Sequence, residues 1–205
     1  MSEPEISIRA RRKHKPDPQK TGLEILLWEL FGEFETSWTC PWLIVPQLDK
    51  MDNTIRPIFQ ALRAMWSSSD FASPGRSLSC DYFIPSEKLI IEYDEIQHFT
   101  CQRAKSLELY PTDLQFGFDC KEWLTACQLI KARDSDRKTP YRDEQRAYYD
   151  SLKDILAAQN GMWMIRLPGG HHQKGKRLRH LRDCCDWTSP DAMDRLHTLL
   201  ASRRS

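Results

Sequence analysis

The chain has 205 residues, 40% of them hydrophobic, which suits one compact domain with a real core and is too few for two full domains. With 30 Lys and Arg against 29 Asp and Glu, the net charge of +1 argues neither for nor against a polyanionic partner, so the distribution of charge must decide. No apolar stretch approaches the roughly 20 residues of a membrane span, and the N-terminus is polar without a signal-like apolar segment, so a soluble, cytoplasmic protein is expected.

Residues 1–20 are polar, basic and proline-containing and read as a flexible arm. Arg11, Arg12 and Lys13 in that arm, and Lys174, Lys176, Arg177 and Arg179 near the C-terminus, form two basic clusters suited to phosphate contacts. Thr21-Gly22-Leu23-Glu24 has the form of a capping box. Leu23, Leu26, Leu27, Leu30, Phe31 and Phe34 then recur at helical spacing, with Glu24 at the edge of that apolar face. Trp42 to Val45 reads as a short strand, Ile55 to Met65 as a helix, and Ser67 to Ser79 as a loop.

The next segment carries the clearest signal. Asp81 to Ile84 and Leu89 to Asp94 both read as strands, joined by the turn-forming Pro85-Ser86-Glu87-Lys88. A four-residue loop pairs Ile84 with Leu89, Phe83 with Ile90, Tyr82 with Ile91, and Asp81 with Glu92, whose Cβ atoms would then lie about 5 Å apart. Asp94 follows Glu92 on the same face, because strand side chains alternate. Facing carboxylates repel unless a cation bridges them or one is protonated, which points to Asp81, Glu92 and Asp94 as hard oxygen ligands of a divalent metal, Mg²⁺ or Mn²⁺. Solvated acids on the outer face of a hairpin are the alternative, and a register slip of one would separate Asp81 from Glu92. His98, four residues after Asp94, is placed to act as general acid or base, or as a ligand.

Farther along, Glu122 to Ala132 reads as a helix, and Lys131 to Arg146 as a charged, exposed stretch. Tyr148 to Gln159 reads as a helix stopped at Asn160-Gly161, Met162 to Leu167 as a strand, and Asp191 to Ala201 as a last helix. The seven cysteines contain no CxxC pair and suit reduced thiols. A zinc site from Cys120, Cys127, Cys184 or Cys185 with His171 or His172 has spacings that match no finger.

Asp81-Tyr82-Phe83-Ile84-Pro85, followed by Leu89-Ile90-Ile91-Glu92-Tyr93-Asp94-Glu95-Ile96-Gln97-His98, resembles the central hairpin of the PD-(D/E)XK nuclease superfamily, in the branch of phage homing-endonuclease-like and very-short-patch-repair-like enzymes. Thr21 to Glu24 resembles that family's opening helix, and Asp150 to Asp154 through Ile165-Arg166-Leu167 its later helix and strand. The resemblance implies an α/β, restriction-endonuclease-like core: a mixed central sheet flanked by helices, spanning residues 21–205 as a single nuclease domain with an insertion around 100–145. It implies a Mg²⁺-dependent endonuclease that hydrolyses phosphodiester bonds in DNA, with Asp81, Glu92 and Asp94 at the metal and His98 in proton transfer. Glu24 would support the metal, Asp150 would orient His98, Lys153 would stabilise phosphate charge, and Arg166 would anchor the strand end. The chain departs from the pattern at Asp94, where the superfamily has lysine, and at Glu95, where close relatives have glycine. The lysine role then passes to His98 or Lys153, and a catalytically reduced nucleic-acid-binding module on the same fold is the alternative. One such site cuts one strand, so cutting both would call for a homodimer.

Overall fold

The computed structural model describes residues 17–66, 71–132, 141–169 and 185–202. Its first helix, α1 (Pro18–Phe31), begins three residues before Thr21, because Asp17 caps it through the Gln19 amide at 3.0 Å and Pro18 supplies a preset first helical residue. Thr21 is consequently inside the helix, its hydroxyl bonded back to the Asp17 carbonyl. Residues 17–20 belong to this helix rather than to the arm. Gly32, at φ 70°, ends it.

Strand β1 (Glu35–Ile44) is longer than the expected Trp42–Val45 segment; as the sheet edge it is largely exposed, so its first half carries little apolar signal. It is followed by helix α2 (Ile55–Trp66) and by strands β2 (Ser77–Ile84) and β3 (Leu89–Asp94). The hairpin register is the expected one as far as it runs: Ile84 with Leu89, Phe83 with Ile90, Tyr82 with Ile91. Every residue of β3 is buried, as befits a central strand. Helices α3 (Cys101–Leu107), α4 (Cys120–Ile130) and α5 (Arg142–Gln159) lead to β4 (Trp163–Pro168), which lies parallel to β3, and α6 (Ala192–Ser202) closes the described chain. The sheet is thus mixed, in the order β1-β2-β3-β4.

Side-chain alternation divides the core between two faces. Ile90 and Met164 pack with Leu62 of α2 and Leu152 and Ile155 of α5, whereas Ile91 and Ile165 pack with Leu23 and Leu27 of α1 and Leu196 of α6. Helices flank both faces, an α/β architecture in three layers. Within the span expected as an insertion, α3 and α4 form a third cluster around Phe99, Phe118 and Trp123. No described helix is long and apolar enough to cross a membrane.

Candidate active site

The β2–β3 ladder stops one pair short of the two acids, at Tyr82 and Ile91. Beyond it, the side chains of Asp81 and Glu92 replace the missing backbone bonds. The Asp81 amide donates to Glu92 Oε1 at 3.1 Å, and the Tyr93 amide donates to Asp81 Oδ2 at 2.9 Å. Leu78 and Cys80 pack on the α2–α5 face, yet Tyr82 and Ile84, of the same parity, pack on the α1 face, so β2 turns over at Asp81. Ser37, between the paired positions Thr36–Tyr82 and Trp38–Cys80, has φ 52°, so β1 bends at the matching point. The sheet opens where the acids stand.

Each acid is met by a lysine from a different layer. Lys20 of α1 donates to Asp81 Oδ1 at 3.2 Å, and Lys153 of α5 donates to Glu92 Oε2 at 2.7 Å. Burial raises the Glu92 pKa above the ordinary carboxylate value, although the Lys153 ammonium opposes the shift. Lys153 titrates above an ordinary lysine: burial alone would lower it, and Glu92 more than compensates.

Asp94 shares the α5 face with Glu92 but serves a different group. Arg166 of β4 donates through Nη1 to Asp94 Oδ1 at 2.6 Å and through Nε to Asp154 Oδ1 at 2.7 Å. The indole of Trp123 donates to Asp94 Oδ2 at 2.8 Å. Arg103 of α3 reaches the same carboxylate as Arg166, donating through Nη2 to Asp154 Oδ2 at 2.6 Å. All five side chains are buried, and both oxygens of Asp94 carry charged or polar donors.

His98 stands at the margin of this network, in a one-turn segment that Arg146 braces by donating to the Gln97 carbonyl at 3.2 Å. Its Nδ1 lies 2.9 Å from Asp150 Oδ2 and 3.7 Å from Asp94 Oδ1, and its side chain is 17% exposed. Burial alone would lower its pKa, but Asp150 and Asp94 together raise it above the ordinary imidazole value. Burial likewise works to raise Asp150, and His98 and Arg166 instead hold it well below the usual carboxylate range. His98, Asp150 and Lys153 line one cleft of about 200 Å³, together with Arg76, Arg142 and Arg146.

Of the expected site residues, the fold therefore gathers His98, Asp150 and Lys153 at a cleft, with Glu92 on Lys153 and Asp81 on the Glu92 carboxylate. Glu24 accepts from the Tyr82 hydroxyl at 3.3 Å. Asp94 is an ion-pair partner inside the core. Arg11, Arg12, Lys13, Lys174, Lys176, Arg177 and Arg179 lie outside the described residues, as do Cys184, His171 and His172. Sequence reasoning missed Asp154, Arg103, Trp123 and the cleft arginines. One signal was present: Asp150 and Asp154, four residues apart, lie on the stripe of α5 that also carries Ala147, Ser151 and Ile155, and acids on a buried stripe require partners.

Among the described residues no group of three or more His, Cys, Asp or Glu side chains is arranged to hold a metal ion. Asp94 does not fit one, since an ion there would have to displace Arg166 and Trp123 from a fully packed position. Asp81 and Glu92 offer adjacent oxygen donors of suitable hardness, and the ammonium groups of Lys20 and Lys153 now supply the compensating charge. No family model, curated protein or solved structure matches the chain.

Proposed function

We propose that the chain is a metal-dependent DNA endonuclease built on a restriction-endonuclease-like core. The observation that carries this reading is the convergence of a His98–Asp150 pair, Lys153 and three arginines on one cleft. A histidine bonded through Nδ1 to a carboxylate keeps Nε2 for proton exchange with a substrate, and Asp150 both orients the ring and stabilises its charged form. Lys153, charged and fixed by Glu92, is placed to stabilise negative charge on a phosphoryl oxygen. A phosphodiester entering the cleft meets an excess of positive charge, which favours its binding and its anionic transition state. A Mg²⁺ or Mn²⁺ ion held by Asp81 and Glu92 would polarise the phosphodiester and lower the pKa of an attacking water.

Cleavage of supercoiled plasmid in Mg²⁺, Mn²⁺ or EDTA tests the proposal. We expect metal-dependent nicking that falls by about 10²–10⁴ in His98→Ala, as for loss of a proton-transfer group, and that is abolished in Asp81→Ala and Glu92→Gln. Intact DNA across metals and substrates would sink it. A second reading, a nucleic-acid-binding module without turnover, draws on Asp94, whose two oxygens are held by Arg166 and Trp123. Binding without cleavage would select it.

A further inference from the structure

Part of the cleft lies outside the roles assigned to His98, Asp150 and Lys153. It is formed by Arg76, which directly precedes β2, and by Arg142, Arg146 and Tyr149 in the first half of α5. We propose that these four residues form a metal-independent phosphate subsite that takes the phosphate adjoining the one at His98 along a nucleic-acid strand. The inference rests on the nuclease reading only for what happens at His98.

Three observations support a built site. First, the backbone carrying Arg76 is fixed. Its amide donates to the Ser73 carbonyl at 3.1 Å, its carbonyl accepts from the Val45 amide at 2.9 Å, and Gln145 of α5 holds the preceding loop by donating to the Phe71 carbonyl at 2.9 Å. The side chain itself is exposed, with its guanidinium carbon 5.6 Å from the Tyr149 ring centroid. Second, Arg146 is braced by the Gln97 carbonyl and by Asp143 at 3.6 Å, so that a ligand orders an arginine already confined to the rim. Third, the Tyr149 hydroxyl oxygen is buried and has no hydrogen-bond partner among the described residues. A buried hydroxyl without a partner costs stability, and a phosphate oxygen in the cleft supplies the missing acceptor.

The chemistry selects the ligand class. The cleft lining sets Arg76, Arg142, Arg146, Lys153 and His98 against Asp150, with Asp143 beside Arg146 and Glu92 on Lys153, so cations outnumber carboxylates there. Planar guanidinium groups match phosphate oxygens. At about 200 Å³ the cleft has room for a phosphate with its sugar but not for a stack of base pairs. The subsite therefore sets the register of a strand by its backbone and carries no base preference.

Binding of oligothymidylate, of a 5′-phosphorylated thymidine dinucleotide and of inorganic phosphate is measured in EDTA, where no cleavage occurs. Arg76 and Arg142 are exposed, so Arg76→Ala and Arg142→Ala are expected to melt like wild type. Each should weaken oligothymidylate binding about tenfold, the loss of one charged hydrogen-bonded contact, and flatten the salt dependence by about 0.7 in log–log slope. Tyr149→Phe should weaken it by a smaller factor. Unaltered affinity and slope in the Arg76→Ala, Arg142→Ala double variant would overturn the proposal even if plasmid is cleaved. Inorganic phosphate binding as tightly as oligothymidylate would overturn the strand assignment in favour of a small-molecule site. Weakened binding in a protein that cleaves nothing would sustain the subsite and remove the nuclease reading.

Discussion

His98 lies between two carboxylates, Asp150 at 2.9 Å and Asp94 at 3.7 Å, while its ring remains partly open to the cleft. Its folded pKa is raised above the ordinary value of 6.5: burial opposes the charged ring, and the Asp150 and Asp94 charges outweigh burial. A raised pKa means that the imidazolium stabilises the fold fully below about 6.5, and that this contribution is lost as pH rises through the folded value. Asp150 behaves oppositely. Its depressed pKa contributes above the ordinary carboxylate range and is lost only under strong acid, so it is constant between pH 6 and 9. Thermal melts of wild type and His98→Gln should therefore differ more at pH 6 than at pH 9. The comparison also cancels Glu92, whose raised pKa would otherwise tilt both curves the same way. A difference independent of pH would show that His98 is held neutral, which would make it a proton acceptor rather than a donor at rest.

At the scale of elements, the site depends on how closely α4 and the segment before it approach β4. A Cβ on Gly117 would lie 2.1 Å from the Met164 carbonyl oxygen and 2.8 Å from its carbon, and strand backbone cannot move aside. Gly117→Ala should destabilise the protein by roughly 2–3 kcal/mol, the cost of overpacking against a rigid partner. Urea denaturation measures this, and Gly161→Ala serves as the contrast. Gly161 has φ 66° with open space around it, so alanine there meets only backbone strain, about 1 kcal/mol. Equal losses at the two positions would show that the Gly117 segment yields, and that Trp123 is not held rigidly against Asp94.

Across the whole molecule, the buried ionic network joins what the chain order separates. Glu92 and Asp94 come from β3, Arg103 from α3, Asp150, Lys153 and Asp154 from α5, and Arg166 from β4. The carboxylates Glu92, Asp94, Asp150 and Asp154 are met by Arg103, Lys153 and Arg166, and by His98 when it is protonated, so this network approaches neutrality only as an assembled set. Helices α3 and α4 contribute Arg103 and Trp123 to it, which makes the span expected as an insertion part of the site's support. Asp94→Ala should cost about 3–5 kcal/mol, because it leaves Arg166 buried beside a missing partner. Asp81→Ala should cost only about 1 kcal/mol, since its carboxylate is 30% exposed and gives up bonds to Lys20 and the Tyr93 amide. Similar urea midpoints for the two variants would show that the network does not hold the fold.

The sequence by itself determined what rests on local spacing. The hairpin register followed from a four-residue turn, α2 and the middle of α5 from apolar periodicity, the end of α5 from Asn160-Gly161, and β4 from a short apolar run before Pro168. Spacing also singled out His98, and the family resemblance Asp150 and Lys153, which the fold brings to one cleft across more than fifty positions of chain. Other features needed the tertiary structure. The start of α1 depended on a competition between Asp17-Pro18 and Thr21 that the cap geometry decided. Side-chain alternation placed Asp94 beside Glu92, but only the parallel pairing of β4 set Arg166 next to that row and turned Asp94 into its partner. The turnover of β2 at Asp81 likewise arises because two carboxylates replace ladder bonds with their own, an exchange that depends on the facing strand and on lysines from two separate layers. Periodicity reports which way a side chain points; which charge it meets there is decided by elements distant in sequence.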